Sequence, residues 1–377
     1  MTAADVLVVG GGVMGCATAL RLAEAGARTV VLERSVPGAE ASSAAAGILG
    51  AAIEAHHGGP SLALGRRSRE LHDRLAEQLL SDHGIDVGLR GCGLMLVAFD
   101  DEERAHLDET ARVWSDAGVR AERLDGDGAR AREPALAPEV RGAVDLPDEG
   151  QVEPAKLLKG LAIAAERAGA TFRSGAHVHR VRVEGGRAVG VELDDGLLPA
   201  GHVVVAAGSW TGLVGGIPLP KTTIQPVKGQ IVACETRPPV FRRIVFGAGG
   251  YVVPRPDGRV LCGSTEERVG FRREVTLAGM ARVTSIACRL APQLAEAPVR
   301  GHWASFRPGT PDDLPLVGRA GVDGLWLASG HYRNGILLAP VTAEIITGLI
   351  LGRESPSEVA ALDPMRFATG TGAGGAP

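Results

Sequence analysis

Aromatic residues and cysteine are scarce in this chain of 377 residues. Aromatic side chains make up 3% of the sequence, and the two tyrosines are Tyr251 and Tyr332. The five cysteines lie far apart, at Cys16, Cys92, Cys234, Cys262 and Cys288. There is no C-x-x-C pair or Cys/His cluster, so the sequence indicates neither a zinc site nor a disulfide framework. Scattered free cysteines are typical of a protein in a reducing cytoplasm.

The sequence also lacks a basic cluster and a long apolar run. Its formal net charge is −4 and its lysines and arginines are dispersed, which argues against a nucleic-acid surface. The apolar run 336–350 contains Pro340 and Glu344, and it is shorter than the roughly 20 residues of a membrane span. A strand pattern begins close to Met1, so we expect no secretory leader, no membrane span and a cytoplasmic location.

Familiar catalytic motifs are missing as well. The sequence has no G-x-S-x-G nucleophile motif, no metal-binding histidine spacing and no evident His/Asp general base. A redox cofactor would account for this absence, because such a cofactor carries the chemistry while the protein supplies binding and orientation.

Residues 5–34 predict a nucleotide-binding strand–helix–strand unit. An apolar run ends at Gly10, and Gly12 and Gly15 complete a G-x-G-x-x-G spacing. The first glycine permits a tight turn, the second lets the backbone approach a pyrophosphate, and the third lets the helix pack on the strand. The second predicted strand ends at Glu33, where a carboxylate accepts hydrogen bonds from an adenosine ribose. This pattern alone fits NAD and FAD equally.

Later segments extend this pattern. The small residues at 41–47 would let the backbone lie close to a flat ligand, with a flexible linker as the alternative interpretation. The sequence predicts helices at about 61–83, 101–116, 155–168 and 276–291, and a strand at 178–183. The apolar run that begins at residue 203 and ends before Gly208 is typical of a buried parallel strand whose carboxyl end meets a ligand. A strand at 325–328, a loop at 329–335 and a helix to about residue 351 complete the set. Because hairpin-rich segments lie between these pieces, the sequence predicts two interleaved domains.

Three residues are candidates for binding a carboxylate. Tyr251 opens a predicted hairpin, Arg307 lies in a predicted turn-rich loop, and Arg333 follows Tyr332 in the last loop. An arginine can donate two parallel hydrogen bonds to a carboxylate, and a tyrosine hydroxyl can add a third. The alternative is a solvated surface arginine. The last helix begins near Gly335, where its positive end would stabilise negative charge on a ligand, unless this is an ordinary helix start.

Eight segments resemble one protein family. They are VVGGGVMG (8–15), SAAAGILG (43–50), QVEP (151–154), VVAAGSW (204–210), PVKG (226–229), YVVPR (251–255), FRPGT (306–310) and GHYRNGILLAP (330–340). In this order they resemble the FAD-dependent amino-acid oxidases of the D-amino-acid oxidase superfamily, and within it the glycine oxidases of thiamin biosynthesis. The segments span almost the whole chain, and the last two are the most specific.

The resemblance implies an α/β fold class, with a Rossmann-like FAD-binding domain interleaved with an antiparallel-sheet α+β substrate-binding domain. The FAD-binding domain would comprise 1–85, 148–220 and 304–369, and the substrate-binding domain 86–147 and 221–303. Residues 370–377 are expected to be a disordered tail.

The resemblance also implies a site for FAD without a covalent link. Relatives that oxidise sarcosine attach the flavin to a cysteine, and Ser305 stands in the corresponding position here. The expected cofactor-binding residues are Gly10, Gly12, Val13, Met14, Gly15, Glu33, Arg34, Ser42, Ser43, Ala46, Gly47, Ile48, Val178, Gly208, His331, Tyr332, Arg333, Asn334, Gly335, Ile336 and Leu337. Arg307 and Tyr251 would bind the substrate carboxylate, and Arg333 would lie beside both substrate and flavin. No metal is expected.

The implied activity is the oxidative deamination of glycine, sarcosine and small D-amino acids by hydride transfer to the flavin, with oxygen as acceptor. The products would be the 2-oxo acid, ammonia or an amine, and hydrogen peroxide, supplying thiazole synthesis. The alternatives are a sarcosine, proline or D-amino-acid dehydrogenase that uses a quinone, a flavin-dependent tRNA-modifying protein, and a non-catalytic dinucleotide-binding module. A homo-oligomer, a tetramer by resemblance, is expected.

Two positions depart from the family. Phe246 stands where the glycine oxidases have a second tyrosine, and it has no hydroxyl. Glu266 stands where the family can have an apolar pocket residue. A carboxylate there could favour a substrate amine or simply face solvent, so the substrate range stays open.

Overall fold

The computed structural model describes residues 4–53, 60–353 and 357–368. The strands are β1 (Ala4–Val9), β2 (Thr29–Glu33), β3 (Ile48–Leu49), β4 (Leu94–Ala98), β5 (Glu122–Asp125), β6 (Gly142–Leu146), β7 (Gly150–Gln151), β8 (Thr171–Ser174), β9 (Arg180–Glu184), β10 (Arg187–Leu193), β11 (Gly196–Val205), β12 (Gln225–Glu235), β13 (Ile244–Gly247), β14 (Gly250–Pro254), β15 (Arg259–Gly263), β16 (Val299–Gly309), β17 (Leu316–Arg319) and β18 (Leu325–Ser329). The α-helices are α1 (Val13–Glu24), α2 (Ala41–Ala44), α3 (Pro60–His83), α4 (Asp101–Asp116), α5 (Gly126–Arg132), α6 (Pro154–Arg167), α7 (Leu277–Leu290) and α8 (Gly335–Ile350).

The first sheet is the nucleotide-type sheet expected from the N-terminal unit. Its strand order is β17-β18-β11-β1-β2-β8, and β10 and β9 extend it from β11. β1 pairs in parallel with both β2 and β11, so that Val8 lies between Val31 and Val204. The predicted strand–helix–strand unit is therefore confirmed, and Gly26, with φ +85°, lies just beyond the end of α1.

Both faces of the first sheet are buried. Val6 and Val8 pack into a core shared with α1, α3, α6 and α8. Leu7 and Val9 point the other way, into a core with the β9–β10 meander. Burial on both faces explains why β1 is a continuous apolar run rather than an alternating one.

The second sheet has the order β16-β12-β15-β14-β13-β4-β6-β5 and is antiparallel except where β13 meets β4. Helix α7 covers one face, where Ile286 packs with Val245 and Val252. On the other face Trp114 of α4 is fully buried in a cluster that includes Ile231. The second sheet is thus the antiparallel part of the predicted mixed α/β fold.

The structure corrects three local expectations. Arg307 was expected in a turn-rich loop, but it lies in β16 and pairs with Val227 of β12. The strand expected to begin at Val178 begins at Arg180, so Val178 lies in the preceding connection. The strand expected near residue 203 begins at Gly196, because its first half pairs with β10 and its second half with β1 and β18.

The domain boundaries stay a prediction. Strands from 4–33, 171–205 and 316–329 form the first sheet, and strands from 94–146 and 225–309 form the second. The expected boundary at 303/304 falls within β16. The expected tail at 370–377 lies outside the described residues.

One described segment, Tyr332–Ile350, is long and apolar enough to cross a membrane by length and composition alone. It contains 19 residues, and 61% of its most apolar window is buried inside the structure. A core helix of a globular protein passes the same test, and α8 packs against α1 and α3. The segment is therefore weak evidence for a membrane span.

Candidate functional site

A cavity of about 630 Å³ lies where the carboxyl ends of the parallel strands meet the second sheet. The turn after β1, the end of β2, the turn after β11 and the loop after β18 all line it. In open parallel sheets, ligands bind at this edge. Residues of β12, β13, β14 and β16 line the opposite side, called here the second-sheet side.

The glycine turn after β1 is as tight as its sequence predicts. Gly10 has φ +109°, and a Cβ there would lie 2.6 Å from the carbonyl oxygen of Ala206. A Cβ on Gly15 would lie 1.9 Å from the carbonyl oxygen of Gly10. The hydroxyl of Ser42 accepts a hydrogen bond from the amide of Val13 at 2.9 Å. The backbone at the start of α1 therefore lines the cavity, and the hydrogen bond from Val13 to Ser42 attaches it to the small-residue segment.

Glu33 and Arg34 line the cavity at the end of β2. The Glu33 carboxylate accepts hydrogen bonds from the amides of Gly11, at 2.7 Å, and Ser35, at 2.9 Å. The Arg34 guanidinium lies 4.2 Å from the ring centroid of Trp210. Trp210 also lines the cavity, and sequence reasoning did not assign it a role. Its only sequence signal is that it is a rare aromatic residue directly after a ligand-facing strand.

The small-residue segment is fixed by a buried arginine. Arg255 is 4% exposed and donates hydrogen bonds to the carbonyls of Ala46, at 2.7 Å, and Val152, at 3.3 Å, and to Gln151 Oε1. Burial lowers the pKa of Arg255 to about 10. A Cβ on Gly47 would lie 2.1 Å from the carbonyl of Val152. Arg255 thus ties together three family segments that are distant in sequence, a role that the sequence did not reveal.

Arg307 lines the second-sheet side of the cavity. Its guanidinium donates hydrogen bonds to the Ser264 hydroxyl and, at 3.2 Å, to the Thr265 carbonyl. A Cβ on Gly229 would lie 2.4 Å from Arg307 Nη1, so only glycine leaves room for the guanidinium there. Arg307 is therefore a positioned side chain in a strand and not a solvated surface arginine.

Tyr251 lines the same second-sheet side of the cavity as Arg307. Tyr251 pairs with Gly263 across β14 and β15, and a Cβ on Gly263 would lie 2.4 Å from the tyrosine ring. Phe246 packs against Tyr251 with ring centroids 5.3 Å apart, and it also lines the cavity. The ring that replaces the family's second tyrosine thus supports Tyr251 by packing.

The last loop contributes a charged cluster. Arg333 donates a hydrogen bond to Glu266 at 2.9 Å and to the Tyr332 hydroxyl at 3.3 Å. A hydrogen bond from Tyr332 and the charges of Arg333 and Arg307 hold the pKa of Glu266 below its usual range, although partial burial opposes them. Glu266 therefore engages a specific cation at the wall of the cavity.

The N-terminus of α8 is braced from outside the cavity. Pro340 lies inside α8 and lacks an N–H, so it cannot donate a hydrogen bond to the carbonyl of Ile336. His72 Nε2 lies 2.9 Å from that oxygen and 3.1 Å from the carbonyl of Leu337, and it carries the proton because both partners only accept. Ser68 donates to the Leu337 carbonyl at 2.6 Å. Nothing in the sequence singled out Ser68 or His72.

The cavity fits a flavin dinucleotide, as the resemblance implied. Glycine at position 10 lets the turn pack directly against the backbone of Ala206, and both residues line the cavity. On the second-sheet side, the buried hydroxyl of Ser305 has no hydrogen-bond partner within the described part of the chain, and Ser305 lines the cavity. A buried hydroxyl beside a polar ligand is satisfied by that ligand. Serine offers no thiolate for a covalent flavin link.

Most of the predicted site residues meet around this cavity. The lining includes Gly10, Gly12, Val13, Met14, Glu33, Arg34, Ser42, Ala46, Gly47, Ile48, Val178, Gly208, Tyr251, Arg307, His331, Tyr332, Arg333, Asn334, Gly335 and Ile336. Gly15, Ser43 and Leu337 lie outside it. Gly15 packs beneath Gly10, the Ser43 hydroxyl lies toward Gly38, and Leu337 faces α3 through the carbonyl that Ser68 holds. Within residues 4–53, 60–353 and 357–368, no cluster of His, Cys, Asp and Glu could hold a metal.

Comparison with known proteins gives consistent matches. The model of the family "DAO: FAD dependent oxidoreductase" matches residues 5–349. A bifunctional ThiO/ThiG protein of Synechocystis is 37% identical over 98% of this chain, and the chain spans 55% of that protein's length. The glycine oxidase of Geobacillus kaustophilus is 36% identical, over 94% of this chain and 95% of that protein. The crystal structure of a glycine oxidase from the same species superimposes with a TM-score of 0.93 at 35% identity, covering 97% of this chain and 99% of the other.

Proposed function

Because this chain belongs to the DAO family of FAD-dependent oxidoreductases, we propose that it oxidises glycine and small amines with molecular oxygen as electron acceptor. Glycine, water and oxygen would give glyoxylate, ammonia and hydrogen peroxide. The observation that carries this proposal is that Arg307 and Tyr251 both line the second-sheet side of the cavity. A guanidinium beside a phenol suits the carboxylate of a small amino acid.

FAD is the cofactor of this family, and when bound it would supply two-electron redox chemistry between the amine substrate and oxygen. The chain would hold the dinucleotide through the glycine turn at Gly10–Gly15, the carboxylate of Glu33 and the segment Ser42–Ile48. Val178 and the loop His331–Ile336 would complete the binding site. The support is that residues from all five of these parts line one cavity.

Arg307 would fix the substrate by its carboxylate. The hydrogen bonds to Ser264 and Thr265 hold the guanidinium before substrate arrives, so little side-chain entropy remains to be lost on binding. The Tyr251 hydroxyl would donate a further hydrogen bond to the same carboxylate. Two charge-assisted hydrogen bonds fix the orientation of a planar carboxylate, and through it the Cα–H bond that must break.

On the proposed substrate side of the described site, the Glu266 carboxylate is paired with Arg333 and is therefore poorly suited to act as a general base. His331 lines the cavity, but its Nε2 lies 3.0 Å from Thr342 Oγ1, and burial lowers its pKa to about 3. The substrate would therefore enter as the neutral amine, which requires no proton transfer to the protein. The N-terminal end of α8, which lines the cavity at Gly335, would favour negative charge there.

A role in supplying thiazole synthesis is part of the proposal. Its support is the similarity to the bifunctional ThiO/ThiG protein, of whose length this chain spans about half. The relatives named glycine oxidase match over nearly their whole length, which favours an oxidase over a quinone-linked dehydrogenase or a tRNA-modifying protein.

The test is a panel of amines with the purified FAD-loaded protein. Glycine, sarcosine, D-alanine and D-proline are scored for hydrogen peroxide under air and for reduction of a soluble quinone without oxygen. We expect stoichiometric peroxide with glycine. Arg307→Ala should raise the glycine KM by on the order of a hundredfold, because a bidentate charge-assisted contact is lost, while FAD stays bound.

The matched control is Arg319→Ala, because Arg319 is an exposed arginine in an ion pair with Asp323 and does not line the cavity. It should leave the glycine KM unchanged. Quinone reduction without peroxide would assign the protein to the dehydrogenases. An unchanged KM in Arg307→Ala would remove Arg307 from the substrate site.

A further inference from the structure

Four arginines line the cavity, and two of them, Arg307 and Arg333, concern the proposed substrate site; the other two are Arg34 and Arg282. Arg307 is held by Ser264 and Thr265, and Arg333 comes from the loop before α8. Two free cations in one small pocket would bind a dicarboxylate better than a monocarboxylate, because each could pair with one anion. The charges next to Arg333 therefore affect whether the pocket binds amino acids with one carboxylate or with two.

Glu266 neutralises one of these cations. Its Oε2 lies 2.9 Å from Arg333 Nη2, and each of the two side chains is 44% exposed. Arg333 also donates to the Tyr332 hydroxyl, and its guanidinium lies 4.8 Å from the centre of that ring. Arg333 is thus engaged before any substrate arrives, whereas the hydrogen bonds that Arg307 makes within the described part of the chain go to neutral groups, a hydroxyl and a carbonyl.

The neighbouring carboxylate has a different environment. Glu267 pairs with Lys228 at 2.9 Å and accepts hydrogen bonds from Gln230 and Thr265, and it does not line the cavity. Glu266 lines the cavity. The two adjacent carboxylates therefore face different surroundings, and only Glu266 can act on a bound ligand.

We infer that Glu266 makes the pocket selective for substrates with a single carboxylate, by pairing with Arg333 and repelling a second carboxylate. This inference rests on the proposed function, in which Arg307 binds the first carboxylate. A second carboxylate in the pocket would meet the negative charge of Glu266 and a cation that is already paired. Discrimination by a repulsive charge is a common source of specificity.

The test compares the binding of two dead-end anions to the FAD-loaded protein. Acetate and malonate differ by one carboxylate, and their dissociation constants are measured by calorimetry at fixed ionic strength. Glu266→Gln keeps the size of the side chain and removes its charge. It should tighten malonate binding relative to acetate by about tenfold, because Arg333 then gains a charge-assisted contact with the second carboxylate.

The opposite change is Arg333→Met, which leaves Glu266 without its cation. It should weaken malonate relative to acetate, so the two variants move the ratio in opposite directions. The matched control is Glu274→Gln, because Glu274 is an exposed carboxylate on the same connection between β15 and α7 and does not line the cavity. It should leave the ratio unchanged.

The outcomes separate the inference from the proposed function. If acetate binds and glycine is oxidised but the malonate-to-acetate ratio stays constant in Glu266→Gln, the selectivity role of Glu266 is wrong and the proposed function stands. If the ratio moves equally in Glu274→Gln, the effect is general electrostatics and the inference is overturned. If acetate fails to bind the wild-type protein, the carboxylate site at Arg307 is lost and the inference falls with it.

Discussion

His72 lies outside the cavity, but its hydrogen bonds position the start of α8, which lines the cavity. His72 is 1% exposed, and desolvation lowers its pKa to about 4, against the hydrogen bonds to the carbonyls of Ile336 and Leu337, which raise it. Arg69 and Asp73 act on it in opposite directions. The folded protein therefore requires neutral His72, while the unfolded chain binds a proton near pH 6.5.

This difference makes folding stability depend on pH. Because the folded pKa lies below the unfolded one, the unfolded state binds more protons between about pH 6.5 and 4, and stability falls as pH falls through that window. Between pH 7.5 and 5 the contribution of His72 should be about 2 kcal/mol. In His72→Gln, which can still donate to the Ile336 carbonyl, urea unfolding should lose less stability over this interval than in wild type.

The control for this measurement is His106→Gln, because His106 is exposed on α4. Its unfolding free energy should follow the wild-type pH dependence. Equal pH dependence in His72→Gln and wild type would contradict the assignment of a neutral buried imidazole.

At the residue scale, the sequence identified the candidate substrate-binding side chains more accurately than the secondary structure in which they lie. Arg307 and Tyr251 were identified, but Arg307 was expected in a loop because Pro308 and the residues after Gly309 indicate a turn. The strand β16 has no alternating apolar pattern, since its last part, residues 305–308, lines a cavity for a polar ligand. A strand that faces a ligand therefore lacks the apolar alternation by which strands are predicted from sequence.

At the scale of elements, the junction of β1 and α1 depends on the absence of side chains. A Cβ on Gly15 would lie 1.9 Å from a backbone oxygen that has no flexible side chain to move aside. Gly15→Ala should displace α1 from the turn at Gly10 and weaken FAD binding by at least about tenfold, since overpacking typically costs 1–3 kcal/mol. Quenching of flavin fluorescence on titration of the apoprotein measures this affinity.

Gly348→Ala is the matched control for Gly15→Ala. Gly348 also lies in a helix, α8, and its nearest added contact would be an ordinary 3.8 Å. The change should leave FAD affinity unaltered and slightly favour the helix, since alanine is the better helix former. Wild-type affinity in Gly15→Ala would show that α1 can shift without affecting the dinucleotide site.

Helices with regular apolar spacing were predictable from the sequence. Contacts between elements that are distant in the chain were not. α3, α4, α6, α7 and α8 lie within a few residues of their expected positions. The brace from α3 to α8 was not predictable, because Ser68 and His72 act on carbonyls more than 260 residues away. No local pattern encodes such a contact.

For the molecule as a whole, FAD should act as a structural cross-link. The cavity joins parts of the chain from Val9 to Ile336, so a ligand that fills it stabilises both sheets together. At a hundredfold excess over Kd, FAD should add about 2.7 kcal/mol and raise Tm by about 3 °C. Differential scanning fluorimetry of the apoprotein checks this expectation.

FMN is the control for this thermal shift, because it lacks the adenosine expected near Glu33 and Arg34. At the same concentration it should raise Tm less than FAD does. An equal shift with FMN would contradict engagement of the adenosine end. The fold class and cofactor followed from the sequence, whereas the domain boundaries, the cytoplasmic location and the oligomeric state stay predictions.

The tie made by Arg255 has a consequence for the order of biosynthesis. Its contact with Ala46 joins residues 209 positions apart, and the contact of Ser68 with Leu337 spans 269 positions. The glycine turn leaves the ribosome early, but the walls opposite it do not exist until α8 has been synthesised. Such long-range closure is slow and favours late assembly. Cofactor capture therefore has to follow the synthesis of α8, and the nascent N-terminal unit has no complete site to offer.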